Sequence, residues 1–201
     1  MKKILFAAVF ALMILPSICG ATEIKSANYK GDFQFSYPEV KTSSAIANAK
    51  INQRIREEIK NFIASAREPN PSVTATTDYK IPYDDDKVLS ILLTEYVNYE
   101  HSAHPSVFLR ALNFDVKSGK PINTVDLKKY DKKISPKDLT RKLKAHAASE
   151  GIVLYPEFKA VDKLPNDFYF DENFHLHFIF QQYEVAPYAA GIIDVDVDSL
   201  D

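Results

Sequence analysis

The chain has one cysteine, no tryptophan and no surplus of either charge. The lone thiol, Cys19, lies in the N-terminal apolar segment. If that segment is removed, no disulfide can form, and the remaining domain must be held by its hydrophobic core. The 25 basic and 27 acidic residues nearly cancel, with a net charge of −2 and no basic stripe along the whole chain, so nucleic acid is not an expected partner. No Gly-x-Ser-x-Gly elbow and no glycine-rich phosphate loop occurs, which removes the common hydrolase and nucleotide-binding signatures. No fixed-period repeat or low-complexity linker is present.

What the chain does have is apolar mass. Its 201 residues are 46% hydrophobic, with 13 Phe and 11 Tyr, enough for one full core or two small ones. At the start, Lys2 and Lys3 precede an apolar run from Ile4 to Leu15, then Pro16 and the small residues Cys19, Gly20 and Ala21. This is the layout of a secretory signal peptide over 1–21, and the run falls short of the ~20 apolar residues a membrane span needs. An alternative reading makes Cys19 the lipidated residue of an envelope lipoprotein. Only in that case would the chain be tied to a membrane.

Periodicity then divides the chain. Phe33, Phe35 and Tyr37 alternate with polar residues as a half-buried strand from Tyr29 to Tyr37, expected to end at Pro38. From Thr42 to Arg67 the period becomes helical, with Ile51, Ile55, Ile59, Phe62 and Ile63 on one stripe, Ser43 or Ser44 as cap, and Glu68 to Pro71 as the stop. Alternating runs from Val73 to Ile81, Leu89 to Val97 and Val107 to Val116 predict three strands with short links, hence antiparallel pairing. Pro82 to Lys87 and Lys117 to Lys120 supply the turns, with positive φ expected at Gly119. Thr124 to Leu127 reads as a short capped turn, and Ser135-Pro136 opens a helix that Gly151 closes. Phe168 to Phe170, Phe174 to Phe180 and Ile192 to Val197 are the last strands. The elements describe an α+β fold, a mainly antiparallel sheet with helices packed on it. The expected division is 1–21 leader, 22–70 strand and helix, and 71–201 C-terminal domain.

Chemistry-bearing residues are few. His101 with His104, and His175 with His177, are the candidate metal pairs; residues two apart on a strand share a face, so His175 and His177 could both reach one ion. Strand histidines on a polar face satisfy the same pattern, and no metal or cofactor is expected. His146 sits near the apolar stripe of its helix as a packing residue. Asp84 to Asp86 lack the ligand spacing and glycine of a calcium loop and read as a solvated turn. The segment Tyr183 to Ile193 is the most distinctive: Pro187 fixes φ, Gly191 admits a backbone that other residues avoid, and Glu184 lies beside Tyr183 and Tyr188. It is either a structural joint or a recognition surface.

Three segments together resemble the extracytoplasmic domain shared by the anti-sigma factor RsiV and the peptidoglycan deacetylase PdaC. They are Ala103-His104-Pro105 through Leu112 to Asp115, Ser118 to Lys120 and Val125 to Leu127; Phe168 to Phe170 with Phe174 to Phe180; and the Tyr183 to Ile193 turn. Phe35 to Pro38 and Ile51-Asn52 are similar to the companion domain that often precedes it. The glycines that relatives carry before the alanine-histidine pair are replaced here by Glu100, His101 and Ser102. The resemblance implies an exported, non-catalytic binding or sensing module of the bacterial cell envelope. It implies a lysozyme-like protein or peptidoglycan as partner, with His104, Tyr183, Glu184 and Tyr188 as the ligand-contacting residues. No sigma-binding segment followed by a membrane span is seen, and there is no room for a deacetylase domain. The alternative is an envelope hydrolase or metalloprotein using a histidine or carboxylate site.

Overall fold

A computed structural model describes residues 22–29, 31, 33–67 and 73–199. The expected signal peptide with Cys19, Asp32 and the expected helix stop from Glu68 to Pro71 lie outside those residues. The described chain forms two sheets and two α-helices: β1 (Glu23–Asn28), β2 (Gln34–Lys41), α1 (Ala45–Arg67), β3 (Val73–Asp84), β4 (Val88–Tyr99), β5 (Ser106–Asp115), α2 (Pro136–Ser149), β6 (Phe168–Phe170), β7 (Leu176–Phe180) and β8 (Ile193–Asp196). A 3-10 turn, Thr124–Tyr130, precedes α2. The fold is α+β and mostly antiparallel.

Five strands in the order β1-β2-β3-β4-β5 make the larger sheet, and β6-β7-β8 the smaller. All pairs are antiparallel except β2 with β3, which run parallel over Gln34↔Thr76 and Phe35↔Thr77. The larger sheet therefore crosses residue 70, with β2 on one side of it and β3 on the other. Strand β1 has too little alternation to be read from the sequence, and β2 does not stop at Pro38. Pro38 pairs with Ser26 of β1, while the β3 ladder has already ended at Phe35, so the missing N–H of proline leaves no rung broken. The buried positions of β2 also change phase, from Phe35 to Pro38 and Val40.

Helix α1 is capped by Ser44, whose Oγ accepts from the Ala47 N–H at 3.2 Å. Its stripe of Ala47, Ile51, Ile55, Ile59, Phe62, Ile63 and Ala66 is buried against Leu89, Ile91, Leu93, Leu112 and Phe114 of the sheet. Asn52 fixes where the helix lies. Its side chain accepts from the Val40 N–H at 2.8 Å and donates to the Val40 carbonyl at 2.7 Å, completing the backbone of β2 as a neighbouring strand would.

The turns follow the chemistry of their residues. At the β3–β4 turn the Asp85 carboxylate accepts from the Lys87 and Val88 N–H groups at 2.8 and 2.6 Å, and of the three acids expected in a solvated turn only Asp86 is exposed. Tyr83 and Asp84 belong to β3, which continues past Pro82 through an irregularity between Lys80 and Tyr83; Asp84 is half-buried there and accepts from the Thr22 hydroxyl at 2.8 Å. Gly119 has φ 68°, and a Cβ there would stand 2.6 Å from the Ala47 carbonyl oxygen, so this glycine lets the β5 turn seat on the start of α1.

The second core is built from the rest of the chain. Ser135 caps α2 with Pro136 at its first position, and Leu139, Leu143 and Ala147 are buried. Gly151, φ 67°, follows the helix end. Leu139 and Leu143 pack with Phe168, Phe170, Leu176, Phe178, Phe180, Ile193 and Val195. A third cluster, Leu92, Tyr169 and Ile179, packs the other face of the small sheet on β4 and β5.

Candidate functional site

Strands β7 and β8 are joined by the segment 181–192, which carries the distinctive aromatic turn. Val185 and Ala186 are buried in the second core and anchor it, and the Val185 carbonyl accepts from the Tyr155 N–H at 3.0 Å. Glu184 closes the first bend by accepting from the Gln181 N–H at 2.7 Å. Tyr183 holds φ 65° and is 54% exposed. Beyond Pro187 a short 3-10 turn, Tyr188–Ala190, ends at Gly191 with φ 69° and ψ −152°, a backbone that essentially only glycine adopts.

His104, from the connection between β4 and β5, meets this turn. Its ring stacks on Tyr188, with centroids 3.8 Å apart and planes at 22°. Its Nε2 lies 3.0 Å from the Tyr183 hydroxyl and its Nδ1 3.0 Å from the Pro105 carbonyl oxygen. A carbonyl can only accept, so Nδ1 carries the proton and Nε2 of the neutral ring accepts from Tyr183. Tyr188 donates its own hydroxyl to the same Pro105 carbonyl at 3.1 Å. Thus the fold brings His104, Tyr183 and Tyr188 together in one half-exposed cluster. Glu184 is next to it in sequence but is spent on the backbone of the bend. His101 is left in solvent beside Glu100, 3.7 Å away, and does not share a site with His104.

The cluster is braced by residues that pattern reading did not single out. Strand β5 is the edge of the larger sheet, and its open backbone groups are filled by side chains. Gln181 accepts from the Leu109 N–H at 3.1 Å and donates to the Leu109 carbonyl at 2.8 Å, while Gln182 accepts from the Val107 N–H at 3.1 Å. Asp167 continues the seal by accepting from the Ala111 N–H at 3.0 Å. These residues act as a substitute strand, which both blocks edge pairing and fixes the aromatic turn on β5. Nothing in the local sequence marks the glutamines, because their partners lie more than 70 residues away.

Asp167 also receives Arg110 at 3.2 Å, and Arg110 reaches Glu95 at 3.4 Å. Glu95 is 3% exposed, and its Oε1 is buried without a hydrogen-bond partner among the described residues. Burial pushes its carboxyl up to about 7, against the opposing pull of Arg110. Beside this chain of charges lies a polar cleft of about 370 Å³, with Arg54 and Glu58 of α1 on one wall and Asn123, Asn166 and Asp167 on the other.

His175 and His177 do share a face, at the opposite end of the small sheet. His175 Nδ1 is 3.1 Å from Asp196, and His177 Nδ1 is 2.9 Å from Asp194, which also accepts from the Tyr169 hydroxyl at 2.6 Å. His177 Nε2 faces Asp171 at 3.6 Å and is buried without a hydrogen bond. Burial alone would lower the His177 pKa, but Asp194, Asp196 and Asp171 more than offset it, so the imidazolium is favoured. Among the described residues no group of three or more His, Cys, Asp or Glu is arranged to hold a metal ion. No helix among them is long and apolar enough to cross a membrane.

Comparison with known proteins supplies a family setting. No curated protein matches the chain. A structure of a DUF3298 family member from Bacteroides fragilis NCTC 9343 superposes with a TM-score of 0.60 at 16% identity, covering 88% of this chain and 90% of that one. A DUF3298 family protein from Pseudomonas aeruginosa PAO1 superposes with a TM-score of 0.57 at 12% identity, over 89% and 90%. At such identities the likeness concerns the fold alone. Residues 122–199, which hold most of the second core and the whole aromatic turn, match the family model described as "Protein of unknown function (DUF3298)".

Proposed function

We propose that this chain is an exported, non-catalytic binding or sensing module of the cell envelope, which recognises a muramidase or peptidoglycan through the His104, Tyr183 and Tyr188 cluster. The observation that carries the reading is Tyr183: a large aromatic 54% exposed, yet held at positive φ and tethered to His104. An immobilised tyrosine offers contact area and a polar tip with little ordering cost on binding. The N-terminal layout of residues 1–21 supports export, and the resemblance to the RsiV and PdaC domains supports the class of partner. The groups best suited to chemistry are engaged in holding the fold: Glu184 caps a bend, and His104 is bonded through both ring nitrogens. Retention of the purified protein on an immobilised lysozyme-type muramidase, or on cell-wall sacculi, tests the reading. Failure on both counts against it.

A further inference from the structure

The near-zero net charge conceals a local excess. Between Lys117 and Lys144 ten basic residues stand against only Asp126, Asp131 and Asp138. The fold gathers much of this excess around the 3-10 turn, Thr124–Tyr130, and the first turns of α2. Two adjoining clefts open there, of about 570 and 470 Å³, sharing Lys132, Lys133, Ile134 and Asp138. Lys128 lines the first and Arg141 the second.

Of the acids of this region Asp126 and Asp138 are already committed, while Asp131 is exposed on the wall of the second cleft. Asp126 pairs with Lys129 at 2.6 Å, Asp138 closes the Ser135 cap of α2, and Lys132 takes Asp198 at 2.6 Å. Lys128, Lys133, Lys137 and Arg141 are exposed and carry no ion pair or hydrogen bond among the described residues. Val125, 83% exposed, stands on the wall of the first cleft. Asp131, Asp138 and Asp198 also line the second cleft, but the basic residues outnumber them, and such an excess raises the local potential and favours an anionic partner.

We propose that this trough is a second binding surface, separate from the aromatic cluster, and that it takes a linear polyanion, a polymer with a negative group on each repeat. A single small anion does not match the arrangement, because the free cations are spaced along two clefts rather than converging on one point. A concave trough also suits a strand better than the flat face of a bilayer. The α2 N-terminus takes no part, since its first turn is closed by Asp138.

The test is binding of the full chain to inorganic polyphosphate of defined length, followed by fluorescence anisotropy. The expected result is an affinity that falls ~tenfold or more between about 50 and about 200 mM salt, and by about tenfold in the double variant Lys133→Glu, Arg141→Glu. Lys25→Glu on β1 should leave it unchanged. If the double variant melts early, Lys128→Gln with Lys133→Gln serves in its place. No binding, salt-independent binding, or equal loss in Lys25→Glu overturns the proposal. So does binding only to vesicles of equal parts phosphatidylglycerol and phosphatidylcholine, or competition by inorganic phosphate at matched phosphate concentration.

Discussion

The imidazole of His104 lies face to face on the phenol of Tyr188, 3.8 Å between ring centroids, and both donate to the one carbonyl of Pro105. This contact ties the β4–β5 connection to the aromatic turn. The two parts of the relation can be separated. Tyr188→Phe keeps the stacked ring and removes only the hydroxyl bond, which is worth ~1 kcal/mol. Thermal unfolding should show a small drop for Tyr188→Phe and a larger one for Tyr188→Ala. Equal drops would mean that the ring contributes no packing.

The glycines should rank by what a side chain would meet. Gly119→Ala must push a Cβ to 2.6 Å from the Ala47 carbonyl oxygen at φ 68°, whereas Gly191 opens to free space. Gly191→Val therefore carries backbone strain alone, ~1 to 3 kcal/mol, and Gly119→Ala should cost more than that. Denaturant unfolding of the two variants checks the order, and an unchanged Gly191→Val midpoint would remove the strain argument.

Much of this was legible in the chain. The stripe of α1, the three-strand meander, the Ser135-Pro136 start of α2 and the positive φ of Gly119 and Gly191 are local consequences of side-chain period and backbone chemistry. Strand β1 and the continuation of β2 through Pro38 were not, because each depends on its neighbour rather than on its own pattern. His104, Tyr183 and Tyr188 were marked as candidate ligand contacts in separate segments, but their meeting, across a separation of 79 residues from His104 to Tyr183, had no signal in the sequence. The brace of Gln181, Gln182 and Asp167 had no local signal, since a polar side chain that completes a distant strand looks like any surface residue.

Glu95 makes the fold sensitive to pH in a defined direction. Its carboxyl titrates near 7 in the fold against 4.5 in the unfolded chain. Between those values the folded state holds a proton that the unfolded state has released, so stability falls as pH rises from 4.5 to about 7 and stays lower above it. Glu95→Gln keeps an acceptor for Arg110 without the charge. It should gain ~1 to 3 kcal/mol at alkaline pH and nothing in acid, read from urea unfolding at both. A gain equal at the two pH values would contradict the burial of the charge.

His177 contributes its pH dependence in another window. Its pKa is raised in the fold, so its contribution is full below the ordinary value of 6.5 and is lost as pH rises through the raised one. The difference in stability between the wild type and His177→Asn should accordingly shrink as the solution is made alkaline. A pH-independent difference would show that His177 acts by packing alone, without its pairing to Asp194 and Asp196.

The most direct measurement concerns Tyr183. It is exposed, so Tyr183→Ala should leave the melting temperature nearly unchanged, within the ~0.5 kcal/mol usual for surface substitutions plus one lost hydroxyl bond to His104. The account predicts that this variant, still folded, loses retention on the muramidase or sacculi that hold the wild type. Undiminished retention would contradict it and leave the turn a joint between β7 and β8.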